Sequence, residues 1–408
     1  VDMGRGDPPE AFDFDAYLNF LERHGHNFIR LWAWDSVTWD SRTSPGHGKD
    51  FVHRVAPLPW LRTGPGQALD GKPKFDLTKL SPAYFERMRA RVSAAGRRGI
   101  YVSVMLFEGW GLMHGNRRKP DPGWAWRAHP FHPDNNVNGL NVAVGSDGLS
   151  GQVHSLASPA ANAIQAAYIR KVVDTVNDLD NVLYEVINEG GQKEWDWWVV
   201  NLVHEYEKTK PKQHPVGITG HGAENLASML ASPADWISPG SKDGYRDDPP
   251  AWDGKKVSLL DTDHIWGIGG NAAWVWKSFL RGHNPLFMDP YDGAVLGKPW
   301  DPRWEPIRRA MTHARRLAER VNLAALLPRN DLASTQYCLA NPGQEYIVYL
   351  PQGGEVTVDL TAASGTLAVE WIHPVEGAVT PSGTIAGGAK RTLKAPFDGH
   401  AVLRVWKR

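Results

Sequence analysis

The sequence predicts an α/β protein, a (β/α)8 TIM barrel followed by a small antiparallel β-sandwich. Near-continuous apolar strands alternate with amphipathic helices over residues 1–328, which means a parallel sheet covered by helices. No GxGxxG follows any strand, which counts against a dinucleotide-binding sheet. From residue 329 onward the pattern changes to short alternating segments, the signature of an antiparallel sandwich.

The elements follow in order. AFDFDAYLNFLERHG is an amphipathic helix with Phe12, Leu18, Phe20 and Leu21 among its apolar positions, and it stops at Gly25 before the strand NFIRLWAW. The helix SPAYFERMRARVSAAGRRG, expected to be capped by Ser81 with Pro82 at its first position, leads to the strand IYVSVML. ASPAANAIQAAYIRKVVDTVNDL leads to NVLYEVI, and QKEWDWWVVNLVHEYEKTK leads to PVGITG. DWISP, KKVSLL, the helix NAAWVWKSFLRG, NPLFM and the helix EPIRRAMTHARRLAERVN complete the series. Seven strands result, around Ile29, Val102, Leu183, Gly217, Ile237, Leu259 and Leu286. A (β/α)8 barrel needs eight. The expected missing member is the first, lost before Val1 or supplied in another way.

Beyond residue 328, STQYCLA, EYIVYLP, EVTVDL, LAVEWIHP, KRTLKAP and HAVLRVW are separated by NPG, QGG, ASG and GG turns, and a second domain is expected at 329–408.

Composition narrows the function. Lys plus Arg equals Asp plus Glu, so the formal net charge is zero and neither nucleic acid nor an anionic membrane surface is an expected partner. No apolar run reaches the length of a membrane span, and no signal peptide is read. The single cysteine, Cys338, excludes an intrachain disulfide framework and leaves the compartment open. There are 19 Trp, several in Gly/Pro-rich stretches such as TWDSRTSPGHG, APLPWLRTGPG and KPDPGWAWRAHP. As a group these indoles are expected to line a cleft for sugar rings, the alternative for each being that large loops pack on their own aromatics.

In such a barrel, function sits where strands end at the C-terminal face. The strand ends read LWAWD, MLFEGW, NE after NVLYEVI, ITGHG, LLDTDHIWG and FMDPYDG. Glu108, Glu189, Asp261, Asp263 and Asp289 are therefore expected on one rim, among tryptophans and without a phosphate-binding loop. Glycosidic-bond cleavage needs such carboxyls: one protonates the leaving oxygen, and another attacks the anomeric carbon or activates water.

The arginine in NFIRLW, the Asn-Glu that ends the fourth barrel strand and the carboxylate that ends the seventh resemble the clan of retaining barrel glycoside hydrolases that includes the cellulase and mannanase families. MDPYDG, the WEPIRRAM helix, YLPQGGEVTVDL and EWIHPVEG more closely resemble bacterial proteins that pair such a barrel with a C-terminal module called a collagen-binding domain; this resemblance covers nearly the whole chain. It implies Glu189 as general acid/base, Asn188 as the residue that meets the sugar 2-hydroxyl and Arg30 as the residue that positions the nucleophile. The clan's nucleophile is a strand-seven glutamate, where this sequence offers only Asp261 and Asp263. Nothing in the residues themselves supports collagen binding.

The expected substrate is a carbohydrate, with no cofactor and no metal. Further substrate contacts are expected from Trp32, Trp34, Asp35, Glu108, Trp110, His221, His264, Trp266, Asp289 and Tyr291. Bland readings stand beside these. Glu189 could cap the next helix, Asp289 and Tyr291 could be turn formers, and His24-Gly25-His26 precedes its strand, at the wrong end for a rim metal. Asp261 and Asp263 share strand parity, so the sequence selects neither. A catalytically silent carbohydrate-binding or scaffold protein is the alternative function.

Overall fold

The computed structural model describes residues 1–40, 52–115, 124–142, 152–220, 225–240, 244–291 and 301–408. Seven strands form one sheet: β1 (Phe28–Leu31), β2 (Tyr101–Glu108), β3 (Val182–Asn188), β4 (Val216–Thr219), β5 (Trp236–Ser238), β6 (Val257–Asp261) and β7 (Asn284–Leu286). They are the seven apolar runs read from the sequence. Their order across the sheet is their order in the chain. Doubly wound sheets reverse order at a switch point, whereas barrels do not, so the consecutive order selects the barrel type. The ladders β1–β2, β2–β3, β3–β4 and β6–β7 run parallel. Among the described residues no eighth strand joins either edge, and the barrel is incomplete. The segment Asp2–Gly4 pairs instead with Val52–Ala56, antiparallel, in a separate small sheet that also holds Thr38–Asp40.

Helices fill the intervals. Besides the four-residue turn of helix Trp124–Arg127, they are α1 (Phe14–Arg23), α2 (Pro82–Gly96), α3 (Pro159–Val176), α4 (Lys193–Glu207), the short α5 (Leu226–Ala231), α6 (Ala272–Leu280) and α7 (Glu305–Ala318). The start of α3 is held by Ser158 Oγ, which accepts the Ala161 N–H at 3.3 Å, and α6 starts on Asn271 Oδ1, which accepts the Trp274 N–H at 2.9 Å. Ser81 occupies the corresponding position of α2 and Pro82 follows, but its side chain makes no capping bond. Its backbone carbonyl meets the Tyr84 N–H at 3.1 Å instead.

Packing divides the chain into two compact units. One comprises Val1–Glu22, Asn27–Trp236 and Pro290–Trp300; the other comprises Arg23–His26, Ile237–Asp289 and Asp301–Arg408. In the first, Trp34, Trp39, Trp60 and Trp126 are buried together with Val55, Leu58, Phe75 and Phe131. This corrects the expectation for the loop tryptophans at 39, 60 and 126, which form a satellite core beneath long connections and do not line a cleft. The reason lies in the connections themselves. Trp60–Gln67 and Pro73–Leu80 pair as an antiparallel ribbon whose apolar residues need a cover, and the indoles supply it.

In the second unit, the C-terminal strands are β8 (Leu327–Pro328), β9 (Cys338–Asn341), β10 (Glu345–Leu350), β11 (Glu355–Asp359), β12 (Thr366–Ile372), β13 (Val379–Ala386), β14 (Lys390–Lys394) and β15 (Ala401–Trp406). Six form an antiparallel sheet in the order β8-β9-β10-β15-β12-β13, and β11 pairs with β14. Val356 and Val358 from the ribbon join Tyr346, Val348, Leu367, Trp371, Leu403 and Val405 in one buried core. The same compact unit contains α6 and α7. Trp276 of α6 is fully buried and donates its indole N–H to the Pro374 carbonyl at 3.0 Å. The change of fold type near residue 329 is thus not where packing divides the chain.

Candidate active site

The β1 to β3 ends carry a buried polar layer. Arg30 and Ser103 are register partners in adjacent strands. The guanidinium reaches Glu185 through Nε at 3.0 Å and through Nη2 at 2.5 Å, and Nη2 also donates to Asn188 Oδ1 at 2.7 Å. Ser103 Oγ donates to Glu185 at 3.4 Å. Glu185 is fully buried, so its charge is sustained by this forked pairing and would be costly without it. The consequence is a fixed Arg30, and with it a fixed Asn188 amide. Glu185 went unassigned in the sequence reading. Its signal was a carboxylate in the middle of an otherwise apolar strand, which has to find a cation.

Glu189 follows β3 directly and has a φ of +46°, in the left-handed region that few non-glycine residues occupy. Such backbone strain persists only where the surroundings impose it, and it concentrates at functional positions. The residue is only 8% exposed. Glu108, at the end of β2 and in register with Asn188, is 1% exposed. Its Oε2 accepts the Gly111 N–H at 2.9 Å, while its Oε1 is buried with no hydrogen-bond partner among the described residues. Burial pushes the Glu108 carboxyl well above the usual carboxylate range. The charges of Asp35 and Glu189 push the same way, against the opposing Gly111 N–H and Asn188 side chain. Glu108 therefore favours the neutral acid.

Asp35, just beyond β1, holds His154 Nε2 at 3.0 Å through Oδ2. The imidazole lies against Phe107 and Trp195, with ring centroids at 5.8 and 5.2 Å. His154 was absent from the sequence reading, and its loop carries no pattern that would have marked it. Trp34 donates its indole N–H to the Thr38 carbonyl at 3.0 Å and belongs to the aromatic core. Trp110 is only partly buried against that core, and Trp32 is partly exposed beneath the Arg30 guanidinium at 5.5 Å. Tyr291 packs edge-on against Phe12, Tyr17 and Phe20. His221 lies outside the described residues.

In the second unit, β6 ends at Asp261, and Thr262–His264 forms a 3-10 turn. Strand parity therefore does not extend from Asp261 to Asp263. Asp261 Oδ1 accepts the Asp263 N–H at 2.9 Å and caps that turn. Asp263 is less buried than Asp261, and its carboxylate lies 3.8 Å from His264 Nε2. His264 Nδ1 faces Ser238 Oγ at 3.1 Å, which orients the ring. Trp266 packs edge-on against Trp274 at 5.4 Å. Asp289 is gripped through both oxygens by the fully buried Arg308, at 2.7 and 2.6 Å. His24 and His26 are engaged elsewhere, with Glu305 at 3.4 Å and the Arg308 carbonyl at 3.2 Å.

Solved structures resemble this fold over almost the whole chain. A glycoside hydrolase family 5 protein from Bacteroides vulgatus matches with a TM-score of 0.61 at 14% identity, covering 97% of this chain and 86% of that one. Another glycoside hydrolase gives a TM-score of 0.57 at 14% identity, covering 97% and 88%. A family 30 subfamily 8 xylanase from Clostridium acetobutylicum gives 0.50 at 11% identity, covering 97% and 93%. A search of curated proteins found no match. Residues 53–224 match a family model described as a domain of unknown function, DUF6298, and residues 325–403 match one described as "Putative collagen-binding domain of a collagenase". The chain thus has a glycoside hydrolase-like, incomplete barrel fold followed by C-terminal antiparallel β-sheets that match the second of these family models.

Proposed function

We propose that this protein is a glycoside hydrolase that cleaves a β-linked glycan or glycoside with retention of configuration. The observation that carries the reading is Glu189. It is a carboxylate turned out of a strand end by a left-handed backbone, next to an Asn188 whose amide is fixed by Arg30. In this reading Glu189 protonates the leaving oxygen while a carboxylate from the β6 end attacks the anomeric carbon, giving a covalent glycosyl-enzyme. Water, deprotonated by Glu189, then releases the sugar. Asp263 is the better candidate for the nucleophile. Asp261 already spends its carboxylate on the turn cap, and Asp263 stands beyond the strand, where the turn can offset its shorter side chain. The Asn188 amide meets the sugar 2-hydroxyl. Asp35 with His154, Trp32, Trp110 and Trp266 supply hydroxyl and ring contacts. The test is turnover on a panel of aryl β-glycosides and polysaccharides, with the anomer of the first product read by NMR. Retained anomers from any member support the reading. Binding without turnover across the panel would indicate a silent carbohydrate-binding protein, and inverted anomers would make the β6 carboxylate a general base for water.

A further inference from the structure

The strand ends beside Glu189 close on one another more tightly than any side chain permits. Glu108 and Asn188 are register partners, and the next link is a backbone bond from the Gly109 N–H to the Asn188 carbonyl at 2.8 Å. Beyond it the two chains are in direct backbone contact. A Cβ on Gly109 would lie 2.6 Å from the Gly190 Cα and 2.8 Å from the Glu189 carbonyl oxygen. A Cβ on Gly190 would lie 2.8 Å from the Gly109 Cα and 3.0 Å from Ile187 Cδ1. Neither Gly109 nor Gly190 has a positive φ, so neither is explained by backbone conformation. What calls for glycine at both is the space between the strands. The residue flanked by this contact is the one with the left-handed φ, Glu189.

We propose that Gly109 and Gly190 are positioning residues for Glu189. Their side-chain-free contact clamps the ends of β2 and β3 together, and the clamp holds Glu189 in the left-handed conformation that presents its carboxyl. The inference rests on the acid/base reading of Glu189. Extended backbone at residue 189 would return the carboxyl to the alternation of the strand, away from the direction in which it now leaves. A methyl at residue 109 meets the Glu189–Gly190 peptide itself, so that peptide has to move.

The experiment compares Gly109→Ala with the parent on two aryl glycosides of the same sugar, one with a poor and one with a good leaving group. A shift of the acid by about 1 Å costs on the order of 100-fold in kcat where proton donation matters. The good leaving group departs without a proton, so its glycosylation rate should stay within about threefold of the parent. The two substrates are compared as kcat/KM, which reports glycosylation; because Glu189 also deprotonates the water of the second step, kcat and KM on the good leaving group should fall together. A merely structural role would slow both substrates alike. Gly190→Ala enters the same gap from the other strand and is the second variant. A folded Gly109→Ala with parent-like rates on both substrates, or with equal losses on both, overturns the clamp. So does a crystal structure of the parent in which Glu189 has an extended φ, which decides the matter even if both variants fail to fold. Glu189→Gln on the same substrate pair separates the two levels. If it keeps parent activity on the poor leaving group, the acid/base reading fails and the clamp with it. If it shows the selective loss and Gly109→Ala does not, only the clamp fails.

Discussion

Glu189 is the residue on which the chemistry turns, and its replacement by Gln keeps shape and hydrogen bonding while removing the proton. Turnover on substrates with poor leaving groups should fall by roughly 100-fold or more, with folding and sugar binding retained. Loss within a few-fold of the parent, measured as kcat/KM, would remove it from the acid/base role. The two aspartates of the β6 end should separate. Asp263→Asn should abolish trapping of a covalent intermediate by a slow fluorinated glycoside. Asp261→Asn keeps an acceptor oxygen for the Asp263 N–H and should mainly lower stability and weaken binding. The opposite outcome would exchange their roles. Much of this scale was legible beforehand, because a carboxylate that closes an apolar strand has few core explanations. The left-handed φ of Glu189 was not, since it depends on how closely the neighbouring strand end approaches.

At the scale of elements, α7 is anchored by a charge. Arg308 is fully buried and holds Asp289 through both carboxylate oxygens and Glu305 at 2.7 Å. Removing one partner strands the other in low dielectric, so Arg308→Met should destabilise the fold by roughly 3–5 kcal/mol in chemical denaturation. A loss smaller than about 1 kcal/mol would show that the pair is solvated. The entry to β7 carries a second device. His283 is buried between Ser258 Oγ at 2.9 Å and the Pro250 carbonyl at 2.8 Å, and burial depresses its pKa to about 4. Its unfolded value is about 6.5, so between these values the unfolded chain binds more protons than the folded one. The His283 contribution is therefore fully present above pH 6.5 or so and lost as pH falls towards 4, by roughly 3 kcal/mol in all. His283→Gln should flatten the acid side of the stability profile. An unchanged profile would place the acid sensitivity in other groups. The sequence marked β7 and α7 as elements, but Arg308 sits among five other arginines of EPIRRAMTHARRLAER and its neighbours, and only packing singled it out.

At the scale of the whole molecule, the question is what the C-terminal module does for the barrel. Within its compact unit, Trp276 donates to the Pro374 carbonyl, Arg281 lies over the Tyr337 ring at 4.4 Å, and Arg320 meets Glu370 at 2.5 Å. These partners join α6, α7 and the segments beside them to the sandwich. A chain ending at residue 328 would bare the indole of Trp276 and the apolar face around it. Such a truncation should be insoluble or melt well below the full chain. A soluble barrel with an unchanged Tm would mark the module as an independent appendage. Among the described residues no helix is long and apolar enough to cross a membrane.

Periodicity alone determined the seven apolar strands, the helices between them and the change to short alternating strands after residue 328, because backbone pairing and burial of one helical face are local rules that each segment obeys by itself. It also placed Asn188, Glu189, Asp261 and Asp263 at strand ends. The strand Val379–Ala386 escaped that reading, since it is almost wholly exposed and Pro381 and Gly383 interrupt its β-branched residues, which leaves no continuous alternation of apolar and polar positions. Only the tertiary structure decided the pairings made across long separations: Arg30 with Glu185, Asp35 with His154, Arg308 with Asp289, and the loop tryptophans with one another. It alone set Asp263 in a turn beyond its strand and brought Gly109 against Gly190. A charge or a glycine states in sequence that it needs a partner or a space, and the partner is chosen by which strand ends the folded sheet makes adjacent.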